Sequence, residues 1–252
     1  MKKIITTVAT LALLSTSAIA ENVSTYLIGA SASTTDVQTK LKANGFDVLA
    51  TTKNVVTITN AELQATNTYL ATLQVYVGGS DVRVQNPAYF GAAYLDDKYK
   101  KGQFKATLDS LTKALGSLKG STEKLEAGDL SGYHFMMGMP YFDEPVTVSK
   151  ANKVYEKVAG NKNIAYSLTL PNGSILVGHK LSSNTNAFLK TLDQTKNSQI
   201  LPYEALVFAN EVKIMNPKFY LALSLPQLTM GQFMKISDVP DEIEKDITNA
   251  YK

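Results

Sequence analysis

The sequence predicts an α+β fold of two related units, each a mostly antiparallel sheet with helices packed on one face. Strand-like and helix-like segments alternate along the chain, and an Asn-Pro pair closes an apolar run in each half. The two pairs, Asn86-Pro87 and Asn216-Pro217, end a gapless match of VRVQNP with VKIMNP, and a Gly-Gln-Phe triplet follows each of them. A copied module would account for this repetition, and chance similarity of two short motifs is the alternative.

The first twenty residues have the composition of an export signal. Lys2 and Lys3 precede an apolar stretch, and Ala18-Ile19-Ala20 has the A-x-A form of a cleavage site. The stretch is too short for a transmembrane helix, and no Cys follows it, which excludes a lipoprotein. We expect residues 1–20 to be removed, and the remaining 232 of 252 residues to be periplasmic without a transmembrane segment.

Residues 21–145 form the first predicted unit. STYLIGAS and FDVLATT are strand-like, and between them Ser33–Asp36 has the form of a capping box that starts a helix. LQVYVGGSDVRVQ predicts two short strands joined by a tight turn. A helix with an apolar stripe, typical of a core face, is predicted from the spacing of Phe104, Leu108, Leu111, Leu115 and Leu118.

Residues 146–252 form the second predicted unit. IAYSLTLPNGSILVGHKL predicts a hairpin with Asn172-Gly173 at its turn, and the last helix is predicted to begin at Pro240. Tyr26–Leu41 resembles Ile175–Leu192, because each is a short apolar run followed by a helix start rich in Ser, Thr and Asn. This alignment makes residues 51–70 an insertion in the first unit.

The segments Phe208–Pro226 and Val82–Leu95 resemble a widespread bacterial family of small α+β domains, known as domain of unknown function number 302. In that family an Asn-Pro follows a hydrophobic strand, and a Leu-Pro comes further on. Asn216-Pro217 and Leu225-Pro226 match in kind, although the Gly that usually precedes the Asn-Pro is missing and the first unit has no Leu-Pro. The resemblance implies an α+β fold. It supplies no catalytic residue that could be carried over to this sequence.

Composition and motifs limit the chemistry. The chain has no Cys, which excludes thiol redox chemistry and thiolate metal sites, and no nucleophile elbow, P-loop or dinucleotide motif occurs. The formal net charge of +3 falls to +1 without Lys2 and Lys3, so we expect no nucleic acid as partner. His179 is predicted to be a surface or satisfied strand-end histidine rather than a catalytic residue. An enzyme built from dispersed carboxylates and tyrosines stays open, but we expect a non-enzymatic protein.

The segment SGYHFMMGMPYF, residues 131–142, combines one histidine with three methionines. Imidazole and thioether groups suit Cu(I), so His134, Met136 and Met139 are candidate metal ligands. In a strand, His134 and Met136 would share one face and Met139 would lie on the other, whereas a loop would gather all three. The alternative is that Phe135, Met137 and Met139 fill the core beneath the striped helix.

Each Asn-Pro pair is by default a structural turn, but aromatic residues follow both pairs. Asn86 with Tyr89, and Asn216 with Phe219, are therefore the candidate ligand-binding residues of two equivalent clefts. The leading prediction is an exported binding or envelope accessory protein without a cofactor, with a groove between its two units. Its partner would be a small ligand or an envelope protein, and the sequence leaves a homodimer open. A periplasmic copper-binding protein is the alternative.

Overall fold

The structure is a computed structural model that describes residues 21–252, so the predicted export signal lies outside the described residues. The strands are β1 (Asn22–Ser24), β2 (Tyr26–Ala30), β3 (Asp47–Thr52), β4 (Val55–Thr59), β5 (Leu73–Val77), β6 (Asp81–Gln85), β7 (Lys119–Gly120), β8 (Lys124–Glu126), β9 (Val146–Lys150), β10 (Ile164–Thr169), β11 (Ile175–His179), β12 (Tyr203–Val207) and β13 (Glu211–Ile214).

The helices are α1 (Thr34–Ala43), α2 (Ala61–Gln64), α3 (Pro87–Leu95), α4 (Lys105–Leu115), α5 (Ala127–Leu130), α6 (Ser183–Asn186), α7 (Phe188–Thr191), α8 (Pro217–Ser224), α9 (Met230–Lys235) and α10 (Val239–Ala250). Short 3₁₀ segments occur at Tyr69–Ala71, Asp96–Lys98, Val154–Lys157 and Thr195–Ile200. Within residues 21–252, none of the helices has both the length and the hydropathy that crossing a bilayer requires.

The two large sheets share one strand order over five positions, and β7 extends the first sheet by a sixth strand. The six-stranded sheet runs β3-β4-β5-β6-β2-β7 and the five-stranded sheet runs β10-β11-β12-β13-β9, while β1 and β8 form a separate pair. In each large sheet a four-strand antiparallel meander ends next to the strand that precedes it in the chain, β2 or β9. The helix after each Asn-Pro follows the last strand of the meander. The predicted α+β class is confirmed; a common origin of the two sheets stays a prediction.

The strand order corrects the alignment of the two halves. The counterpart of β2 by position is β9, not β11, because β11 lies inside its meander between β10 and β12. Residues 51–70 are therefore no insertion, since they contain β4, a central strand of the first sheet. The Gly-Gln-Phe triplets also differ in local structure: Gly102 lies in the turn before α4, whereas Gly231 lies in the first turn of α9.

Several locally encoded elements are confirmed. The Ser33 side chain accepts a hydrogen bond from the Asp36 N–H at 3.1 Å and caps α1. The hairpin of β10 and β11 forms as predicted. The striped helix buries Leu111 fully, but it ends at Leu115 because Gly116, with φ +84°, stops it before Leu118.

Both sheets contribute to one hydrophobic core. The edge strands β3 and β10 lie next to each other. The 3₁₀ segment Thr195–Ile200, which joins β11 to β12, packs on β5 and β6 of the other sheet. In return the segment Tyr69–Ala71, which joins β4 to β5, packs on β12, and the Tyr69 hydroxyl donates to the Lys213 carbonyl at 3.2 Å. The connection of each meander thus covers the opposite sheet.

Candidate functional site

Asn86 and Asn216, predicted to bind a ligand, are helix N-caps. The Oδ1 atom of Asn86 accepts from the Ala88 N–H at 3.1 Å, and that of Asn216 accepts from the Lys218 N–H at 3.1 Å. The proline that follows each asparagine has no N–H to satisfy at the first position of the helix. The two motifs repeat because two helices begin in the same way.

Tyr89 and Phe219, the aromatic partners of these asparagines, are buried. The Tyr89 hydroxyl donates to the Leu223 carbonyl at 2.8 Å, and the Phe219 ring packs 5.9 Å from the ring of Phe142. None of the four predicted ligand-binding residues lines any of the four main cavities in residues 21–252. The geometry gives them structural roles, and their part in ligand binding stays a prediction.

The histidine–methionine segment is a loop. The N–H of Met139 donates to the Met136 carbonyl at 3.0 Å, and the His134 ring lies 4.6 Å from the ring of Tyr141. The alternative that its apolar side chains fill the core is wrong for Met137, which is 95% exposed because no strand carries it inward. In the part of the chain that the structure describes, no three His, Asp or Glu side chains are grouped to hold a metal. Copper binding by His134, Met136 and Met139 stays a prediction.

A cavity of about 360 Å³, here called the basic cavity, opens between the two sheets. The turn between β3 and β4 forms one wall, and the end of β11, α6, α7 and the segment Thr195–Ile200 form the others. Its apolar surface comes from Val55, Leu181, Leu189, Leu201 and Pro202. The groove between two units stays a prediction, and this cavity is its candidate location.

Three lysines give the basic cavity its charge. Lys53, Lys180 and Lys190 line it together with neutral polar side chains, and no Asp or Glu of residues 21–252 is among the lining residues. None of the three lysines forms an ion pair with another described residue. Lys53 occupies the left-handed region, with φ +55°, at the tip of the β3–β4 turn. The basic cavity therefore has a cationic rim, formed by the three lysines, around an apolar interior.

His179 also lines the basic cavity and is 1% exposed. Its Nε2 atom lies 2.9 Å from the Tyr251 hydroxyl, while Nδ1 has no hydrogen-bond partner among the described residues. The surface interpretation of His179 is therefore wrong, because the strand end is covered, and the satisfied interpretation holds for only one ring nitrogen. Burial lowers the pKa of His179 to about 4, so the imidazole is neutral at neutral pH.

A buried carboxyl joins the two sheets, and sequence reasoning missed it. Glu204 on β12 accepts hydrogen bonds at Oε1 from the hydroxyls of Thr72 and Tyr166, and from Nε2 of Gln74 at 3.2 Å. Thr72 and Gln74 belong to the first sheet region, whereas Tyr166 lies on β10. Burial raises the pKa of Glu204 to about 7, although the three hydrogen bonds act in the opposite direction. No sequence motif marks this cluster, since its members come from three segments far apart in the chain.

Comparison of the chain with protein-family models, curated proteins and solved structures gave no match. The resemblance to domain of unknown function number 302 therefore stays a prediction, and the function is argued from geometry alone.

Proposed function

We propose that this chain is an exported periplasmic binding protein, without catalytic activity, that holds a small amphipathic anion in the basic cavity. The observation that carries the proposal is the combination of three lysines, which form no ion pair within residues 21–252, with an apolar interior between the two sheets. Its volume of about 360 Å³ lies within the range of pockets that bind small ligands.

The ligand class follows from the chemistry of the walls. A carboxylate, sulfonate or phosphate group would lie near Lys53 or Lys190 at the rim, where exposed ammonium groups attract an anion. An aliphatic or aromatic body would fill the space beside Val55 and Leu189, which removes apolar surface from water. Asn54 adds a neutral hydrogen-bonding side chain.

Binding fits the cavity better than acyl transfer does. A hydrolytic serine needs a base within hydrogen-bond reach. Ser183 and Ser198 line the cavity, but in the described part of the chain neither one hydrogen bonds to His179. The Ser198 hydroxyl donates instead to the Thr195 carbonyl at 2.7 Å.

The proposal is tested by calorimetric titration of the mature protein with decanoate at pH 7.5, next to 1-decanol as an uncharged probe of equal chain length. Decanoate should bind with a stoichiometry of one. Lys53→Gln and Lys190→Gln should each weaken it about two- to fivefold, as expected for partly screened charges. Lys113→Gln, on the exposed face of α4, is the matched control and should change nothing.

Two outcomes would refute the proposal. Equal affinity for both probes would mean that the lysines do not select charge. Unchanged decanoate affinity in a Lys53→Gln, Lys190→Gln double variant would place the binding elsewhere.

A further inference from the structure

A second, larger cavity lies on another part of the molecule and has the opposite charge. Its volume is about 550 Å³, and we call it the acidic cavity. It is formed by the end of α3 with the residues after it, by the turn before the 3₁₀ segment Tyr69–Ala71, and by residues 132–143. It has no lining residue in common with the basic cavity.

Aromatic rings form the walls of the acidic cavity: Tyr94, Tyr133, Tyr141 and Phe142. Phe142 stacks on the buried Tyr94 with ring centroids 5.0 Å apart and an interplanar angle of 16°. Tyr133 meets the buried Phe219 edge-on at 5.9 Å. Since these neighbours hold the rings of Phe142 and Tyr133, these two aromatic walls are in place before any ligand arrives.

The charges around these rings are mostly negative. Asp96, Asp97 and Asp143 line the cavity, and Lys98 is the only cation among its lining residues. None of the three aspartates forms an ion pair within residues 21–252, although the Ser131 hydroxyl donates a hydrogen bond to Asp96. Helix α3 ends at Leu95, so its C-terminal carbonyl groups add negative potential on the same side.

We propose that the acidic cavity binds an organic cation, a quaternary or primary ammonium carried on an apolar body. Aromatic faces attract such a cation through their quadrupoles, and the unpaired carboxylates add Coulomb attraction. A bare divalent metal fits less well, because no three carboxylates of the described residues converge on one point. The size of the cavity and its apolar walls suit a bulky, weakly hydrated cation instead.

The test is a titration of the mature protein with benzyltrimethylammonium at low salt, in which the NMR chemical shifts of the tyrosine rings are monitored. Benzyl alcohol serves as the uncharged probe. The cation should bind and shift tyrosine signals, and benzyl alcohol should bind at least about fivefold more weakly. Asp97→Asn and Asp143→Asn should each weaken the cation about two- to fivefold, and Tyr141→Leu by a similar factor.

Two controls separate this site from its surroundings. Asp129→Asn removes an exposed carboxylate outside the cavity and should leave affinity unchanged. Lys53→Gln alters the basic cavity alone and should also leave the affinity for benzyltrimethylammonium unchanged. Because the two cavities share no lining residue, a failure of decanoate to bind would not bear on the acidic cavity. Equal binding of benzyl alcohol, or unchanged affinity in the Asp97→Asn, Asp143→Asn double variant, would overturn the assignment.

Discussion

Replacing Glu204 with glutamine should stabilise the protein at pH 8 and change its stability far less at pH 5. The carboxyl lies between the two sheets with Thr72, Gln74 and Tyr166 around one of its oxygens. Glutamine has the same shape and keeps an oxygen that accepts these hydrogen bonds. It differs in that it cannot ionise.

The magnitude follows from the difference in pKa between the folded and unfolded states. Burial raises the pKa of Glu204 from 4.5 to about 7. Between these values the folded state keeps a proton that the unfolded state releases, so its contribution to stability is complete below pH 4.5 and is lost as pH rises through 7. Since a tenfold change in proton affinity corresponds to about 1.4 kcal/mol, the ionised side chain costs about 3 kcal/mol at pH 8.

The assay is urea unfolding of wild type and Glu204→Gln at pH 5, 6, 7 and 8. We expect the difference in free energy of unfolding to grow from about 1 kcal/mol or less at pH 5 to about 3 kcal/mol at pH 8. Taking the difference between the two proteins removes the contribution of every other titrating group. Glu126→Gln, which changes an exposed carboxylate, should give a flat difference.

A difference that is the same at all four pH values would refute this reasoning. It would mean that Glu204 reaches solvent or ionises without cost in the folded protein. A variant that is less stable than wild type at pH 8 would mean that the charged form is needed by its neighbours.

Three further predictions concern buried side chains. Because burial lowers the pKa of His179 from 6.5 to about 4, the contribution of this group to stability should fall by about 3 kcal/mol as pH drops through this range. The fall is measured as the difference in free energy of unfolding between wild type and His179→Gln, in which the opposite contribution of Glu204 cancels. Gly178→Ala should destabilise by about 2 kcal/mol in urea, because its Cβ would lie 2.2 Å from the ring of Tyr166. Arg83→Met should cost about 2 kcal/mol in the same assay, since it removes the nearer cation, 3.1 Å from the buried Glu123 carboxylate, and leaves Lys196 at 3.6 Å.

Each of these predictions has a matched control. His134→Gln changes the other histidine, which is not fully buried, and should not reproduce the effect of His179→Gln on stability at low pH. Gly128→Ala adds a Cβ with no atom within 4 Å and should change stability little. A double Arg83→Met, Glu123→Leu variant should recover most of the loss, because the buried carboxylate without its arginine partner is then removed. If the double variant does not recover stability, the cost of Arg83→Met comes from lost packing and not from the unpaired charge.

The elements that the sequence predicted well depend on neighbouring residues. Helix α1 and the β10–β11 hairpin follow from a cap, a tight turn and alternation, all encoded within a few positions. The order of strands depends on contacts between distant segments. Tyr26–Leu41 and Ile175–Leu192 share a local pattern, yet β2 and β11 occupy different places in their sheets. Local similarity does not specify a strand's neighbour.

The same distinction separates the predicted site from the candidate cavities. Asn86 and Asn216 stand out in the sequence because they repeat, and they repeat because each begins a helix. Lys53 and Lys190 are unremarkable surface lysines in sequence, and only the packing of the two sheets brings them to one cavity. His179 offered a weak signal, since it alternates with Ile175 and Val177 on one strand.

The reciprocal cover of the two sheets limits how the polypeptide can be divided. A cut between residues 145 and 146 would strip the segment Thr195–Ile200 from β5 and β6, and the segment Tyr69–Ala71 from β12. Each fragment would then expose to water the apolar surface that these segments cover, so the two fragments should be soluble only when they are produced together. If one gene segment was once copied to make this chain, its single-module ancestor faced the same exposed surfaces, and association with an identical molecule would have solved the problem before fusion did.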